Sequence, residues 1–115
     1  AGVEPRVMGF GPVFAIRKAL RRADLQLSDM DIIEINEAFA SQVLGCLKLL
    51  DVDFSDSRVN PNGGAIAVGH PLGASGARIA LTAMRQLERG GGRYAAISLC
   101  IGIGQGLAAI LERVD

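Results

Sequence analysis

Tyr94-Ala-Ala-Ile-Ser-Leu-Cys-Ile-Gly-Ile-Gly-Gln-Gly-Leu-Ala-Ala-Ile-Leu-Glu112 is the stretch whose reading decides the fold. Residues 94–100 and 104–112 are two apolar runs of strand length, and a tight glycine turn at 101–103 joins them. Consecutive strands on so short a connection pair antiparallel. Gly102-x-Gly104-x-Gly106 leads into a strand, not a helix, so it is no dinucleotide fingerprint. Upstream, Ile79, Ala83, Met84 and Leu87 form the inward stripe of a helix over 75–89, which Gly90, Gly91 and Gly92 end. A short strand fits 58–60. Asn36 begins a further helix with Phe39, Val43, Cys46 or Leu47, and Leu50 inward, and Asp31-Ile-Ile-Glu-Ile35 is a β-branched strand ahead of it. A turn at 9–12 precedes the first helix, where Val13, Ile16, Leu20 and Ala23 oppose Arg17, Lys18, Arg21 and Arg22. The order is helix, strand, helix, short strand, helix, hairpin. That is an α/β chain with a mixed β-sheet and helices packed on it.

The 115 residues suit one domain, and half of them are apolar. Twelve basic and twelve acidic residues cancel. This balance gives no electrostatic footprint for nucleic acid and no basic face for anionic lipid. No apolar run has the length of a membrane span, and the first residues lack the plan of a signal peptide. Two cysteines and one histidine make neither a disulfide framework nor a zinc site, so no metal is expected. The expected setting is soluble, reducing and cytoplasmic.

Glycine is the unusual number, at 15 residues, about twice the average share. The glycines cluster between apolar segments, where loops carry sites. Four features are candidates for chemistry. His70, the one histidine, sits in Gly69-His70-Pro71; a solitary histidine is more often a surface or core residue, but a glycine loop beside a rigid proline favours a site. Cys100 ends a strand and opens onto a turn with free backbone N–H groups, the place for a base or nucleophile; the alternative is a buried structural thiol. Asn36-Glu37-Ala38-Phe39 lies at a strand-to-helix junction, where Asn36 also reads as a helix cap. The fourth is the glycine loop over 63–76. It lacks the Lys and Ser/Thr of a phosphate-binding loop, and Gly73-Ala74-Ser75-Gly76 is no hydrolase elbow. The aspartates of 51–56 lack calcium-loop spacing, and Cys46 reads as a core residue. One His, one Cys, one Asn and exposed amides remain. They are equipment for carbanion and acyl chemistry on a thioester: a thiol base next to donors for an oxyanion.

The ordered set of Asn36-Glu-Ala-Phe39, then Asn60-Pro-Asn-Gly-Gly-Ala-Ile-Ala-Val-Gly-His-Pro-Leu-Gly-Ala-Ser-Gly76, then Cys100-Ile-Gly-Ile-Gly104 strongly resembles the C-terminal domain of the thiolases, together with Met8-Gly-Phe-Gly-Pro12. The resemblance runs over essentially all of residues 1–115. It implies a thiolase-like C-terminal half and acyl transfer between coenzyme A thioesters, by thiolysis of a 3-ketoacyl-CoA or the reverse Claisen condensation. CoA and acyl-CoA are then substrates, and no cofactor is needed. Asn36 would hold a water that forms one oxyanion hole with His70, and His70 would also activate the nucleophilic cysteine. Cys100 would take or give the α-carbon proton. The Gly102 N–H would serve a second oxyanion hole, and Met8 and Phe39 would line the acyl and pantetheine end of the pocket. Many thiolases carry Cys-x-Gly-Gly-Gly; Ile103 replaces the middle glycine here, which resembles the β-ketoadipyl-CoA and some 3-ketoacyl-CoA thiolases. The family's nucleophile lies in an N-terminal half, and Cys46 does not match its motif. The chain therefore reads as a fragment that lacks the opening strand and the N-terminal half, is inactive alone, and pairs with that half or with itself. The alternatives are a non-catalytic acyl-CoA- or lipid-binding relative and a structural subunit that completes a partner chain.

Overall fold

Successive side chains of Ile32–Ile35 (β1) point to opposite faces of a sheet, and all four residues are buried. A strand buried on both sides needs helices on both sides. β1 pairs in parallel with Tyr94–Ile101 (β2), which pairs antiparallel with Gln105–Glu112 (β3), in the order β1-β2-β3. The structure, a computed structural model, describes residues 1–114.

On one face lie α1 (Gly11–Ala23) and α2 (Ala40–Leu50). Their stripes, Val13, Ile16 and Leu20 with Val43, Cys46, Leu47 and Leu50, close over Ile33, Ile35 and Ala96. On the other face Ile79, Ala83 and Leu87 of a helix over Ser75–Gly90 cover Ile32, Ala95 and Ile97. That helix is α4, because one turn at Ala65–Val68 (α3) precedes it in the glycine loop. Gly91, at φ 73°, ends α4 in the left-handed conformation.

The mixed sheet and the hairpin are as the sequence suggests, and five local readings change. Asn36 does not begin α2. Its N–H bonds Ser98 O at 2.9 Å and prolongs the β1–β2 ladder, so the helix waits until Ala40. Phe39, placed on the buried stripe, is instead 66% exposed at the helix entrance, and Met84 is 46% exposed because only the 79–83–87 row of α4 meets the sheet. Ile101 belongs to β2, opposite Gln105, so the turn is 102–104 and Ile103 adopts φ 70°. The short strand at 58–60 is reduced to a single parallel bridge between Val59 and Ile33.

A 3-10 helix at Pro5–Phe10 leads into α1. The start of α1 crosses the start of β3 so closely that a Cβ on Gly106 would run into the backbone of Gly11. Ala1 exchanges two 2.8 Å backbone bonds with Gly106 at the outer edge of β3.

Candidate active site

Parallel pairing sets the carboxyl ends of β1 and β2 side by side, the usual location of sites in α/β sheets. Asn36 follows β1 and bonds Ser98; Cys100 stands two residues further along β2. Side-chain alternation places Asn36 on the α4 face with Ile32 and Glu34. Cys100 falls on the opposite face with Ala96.

His70 reaches this end of the sheet from the glycine loop. Its Nδ1 lies 2.6 Å from the Ser75 hydroxyl, which donates at 3.1 Å to Pro71 O. With the hydroxyl proton so used, Ser75 accepts from His70 Nδ1–H, and Nε2 keeps its lone pair. This tautomer is assigned from the hydrogen-bond pattern. The buried Asn36 amide nitrogen lies against the ring, 3.3 Å from Nε2 and 3.4 Å from Nδ1. Residues 34 positions apart thus meet because β1 ends where the loop returns. The loop is held there by Arg78, which donates to Gly69 O at 2.6 Å.

Cys100 is half-buried, and burial pushes its thiol up from the ordinary range. The shift favours the thiol over the thiolate. Cys46 is a core thiol, pushed up to about 11 mainly by burial and donating to Gly9 O at 3.2 Å. That bond ties the turn containing half-buried Met8 onto α2. Gly102 is exposed in the hairpin turn, and its carbonyl accepts from Gln105 Nε2 at 3.4 Å. The structure therefore joins Asn36 and His70 directly and sets Cys100 and the Gly102 turn at the carboxyl end of β2. Met8 and exposed Phe39 flank α2.

Five residues have supporting roles that escape a reading of the motifs alone. Asn60 acts as a strand in miniature: its side-chain oxygen accepts from Ile35 N at 2.9 Å and its amide donates to Ile35 O at 2.9 Å. The same amide donates to Glu37 Oε1 at 3.1 Å, and Glu37 Oε2 accepts from Ile66 N at 3.0 Å. Gly64 lies against that carboxylate so closely that a Cβ would strike it. Ser75 fixes the His70 tautomer. Glu34, two residues before Asn36, is buried beside a cavity of about 200 Å³ that Asn36, Arg78 and Thr82 also line. The signal for Glu34 was available: a carboxylate at an even position of a strand flanked by apolar residues faces a packed layer.

A family model described as the thiolase C-terminal domain matches residues 1–113. The chain belongs to the thiolase family. Its match is to the C-terminal domain of those proteins, and its relatives agree. The chain is 62% identical over 113 residues to a beta-ketoadipyl-CoA thiolase of Acinetobacter baylyi, covering 98% of this chain and 28% of the relative. It is 62% identical over 114 residues to the 3-oxoadipyl-CoA/3-oxo-5,6-dehydrosuberyl-CoA thiolase of Escherichia coli, covering 99% and 28%. Among solved structures it superposes on human mitochondrial 3-ketoacyl-CoA thiolase in complex with CoA with a TM-score of 0.96 at 52% identity, covering 100% of this chain and 29% of that one. The Bacillus anthracis acetyl-CoA acetyltransferase gives 0.93 at 46%, covering 99% and 28%. The thiolase domain described here thus spans less than a third of the length of these relatives. Among its described residues no group of three or more His, Cys, Asp or Glu could hold a metal ion, and no helix is long and apolar enough to cross a membrane.

Proposed function

We propose that this domain supplies half of a thiolase active site, for acyl transfer between coenzyme A thioesters. The observation that carries the reading is the Asn36–His70 contact at the carboxyl end of the sheet, with Ser75 fixing the imidazole and Cys100 two residues beyond the Asn36–Ser98 bond. In thiolysis His70 Nε2 takes the proton of a nucleophilic thiol contributed by a complementary half. The thiolate adds to C3 of the 3-ketoacyl-CoA. The C2–C3 bond breaks, and its electron pair passes into the thioester enolate. Asn36, through a water, and the protonated His70 donate hydrogen bonds to the enolate oxygen, charge stabilisation of the oxyanion-hole kind. Cys100 gives its proton to the enolate α-carbon and is left as thiolate. The incoming CoA thiol returns a proton to Cys100 and takes the acyl group, which frees the nucleophile. The raised Cys100 thiol suits the first of these transfers, since the resting group is the acid. The Gly102 N–H serves the second oxyanion, and Met8 and Phe39 line the acyl and pantetheine end. Two free thiols agree with a reducing, cytoplasmic setting.

The test is a graft. The domain replaces the matching C-terminal segment of the Acinetobacter baylyi relative, and loss of the acetoacetyl-CoA enolate absorbance is followed with CoA present. Turnover by the graft and none by the isolated domain is the expected result. Turnover by the isolated domain would contradict the division of the site, and an inactive but folded graft would contradict the assignment.

A further inference from the structure

Glu34 Oε1 and Asn36 Oδ1 are both buried acceptors that take no hydrogen bond from the protein. They stand at i and i+2 on one face of an extended segment, so their Cα atoms are about 7 Å apart, and they line the same cavity of about 200 Å³. Two acceptors that face one space need a proton between them. We propose that Glu34 is a positioning residue for Asn36: its carboxylic acid proton is shared with Asn36 Oδ1, directly or through one water, which keeps the amide nitrogen turned to His70.

The surroundings favour the neutral acid. From β2, the residue opposite Glu34 is Ile97. From α4, Ile79, Thr82 and Arg78 line the cavity, and Arg78 donates a hydrogen bond to Gly69 O. Glu37, beyond β1, adds like charge and is itself engaged by Asn60 and Ile66. Burial first, and Glu37 second, push Glu34 up to about 7, against a smaller opposing pull from Arg78. A protonated Glu34 donates to Asn36 Oδ1. An ionised Glu34 only accepts, so it attracts the amide nitrogen and turns it away from His70. Amide orientation at the site is thereby coupled to the charge of Glu34.

The proposal rests on the reading of Asn36 and His70 as an oxyanion site, and its test separates the two. In the chain, carboxyl carbon NMR of Glu34 and the side-chain amide signals of Asn36 are followed against pH. The expected result is a Glu34 midpoint near 7, with a matching step at Asn36 that disappears in Glu34→Gln. A Glu34 midpoint in the ordinary carboxylate range, measured on the unaltered chain, would overturn the proposal, as would an Asn36 step unchanged in Glu34→Gln. In the active graft, Glu34→Gln keeps a donor for Asn36 and is expected to hold kcat while removing that group's alkaline step. Glu34→Leu is expected to lower kcat about tenfold at unchanged KM. Equal kcat in Glu34→Leu and the parent graft would overturn the positioning role. A graft without turnover counts against the thiolase reading alone, and the NMR result still decides this one.

Discussion

Glu34 is 2% exposed and carries its proton to unusually high pH, and this has a consequence for stability that is independent of catalysis. An acid whose folded-state pKa lies above its unfolded value stabilises the fold fully below the unfolded value, and loses that contribution as pH rises through the folded one. With the folded value at about 7, the domain is expected to lose about 3 kcal/mol between roughly pH 4.5 and 7 from this group. Asp31 and Asp56, whose pKa values are held low by hydrogen bonds from Tyr94 and Arg93 and from Arg58, act in the opposite sense and only below their ordinary range. Urea melts across this window should show the decline, and Glu34→Gln should flatten it. The same slope in Glu34→Gln would show that another group is responsible. At this scale the motif residues were legible in the sequence, because Asn36, His70 and Cys100 are chemically rare in the chain. The burial of Glu34 was legible from its place in β1, but its role and that of Ser75 were not, because they depend on which cavity and which ring these residues face.

Asn60 carries the edge of β1 without being in a strand. The 58–60 segment gives β1 a backbone bond from Ile33 N to Arg58 O and one from Asn60 N to Ile33 O, and then the Asn60 side chain takes over at Ile35. Arg58 fixes the approach by pairing with Asp56 at 2.7 Å and donating to Leu27 O and Met30 O. Asn60→Ala leaves two backbone groups of Ile35 and one Glu37 oxygen without these partners. A loss of about 2 kcal/mol in chemical denaturation is expected; a loss under half of that would mean that water serves the edge as well. The 102–104 turn gives the opposite case. Ile103 is 89% exposed and branched, yet it holds φ 70°, a conformation that costs an L-residue about 1–2 kcal/mol. Ile103→Gly should raise stability by about 1 kcal/mol, read as a higher Tm; an unchanged or lower Tm would show that the turn is not strained. The elements were legible where the apolar period was long, as in α1, α4 and the hairpin. The boundary at 36–40 was not, because Asn36 has the chemistry of a helix cap and the ladder bond to Ser98 claims its N–H. That competition is tertiary and leaves no local mark.

At the scale of the molecule, exposed apolar side chains gather on the loops around the site: Phe39, Ile66, Val68, Leu72 and Ile103, with Leu72 85% exposed. β3 lies at the sheet edge, and the bonds from Ala1 reach only its beginning. An open strand edge and an apolar rim both favour association with another surface. The domain alone is expected to sediment as a concentration-dependent mixture; a strict monomer at high concentration, melting cooperatively, would show a self-sufficient surface. The neutral charge balance and the glycine clusters said nothing about where this rim lies, since exposure of the 66–72 loop follows from how it returns to β1. The central claim is that Asn36, His70 and Cys100 divide the work of one acyl transfer. It is tested most directly in the graft by measuring, on the same Cys100→Ala sample, the intact mass after acetyl-CoA and the rate of thiolysis. The account predicts an acetylated protein with thiolysis reduced at least about a hundredfold, because acyl transfer to the nucleophile survives and the α-carbon proton step does not. Thiolysis at the parent graft's rate in Cys100→Ala would contradict it.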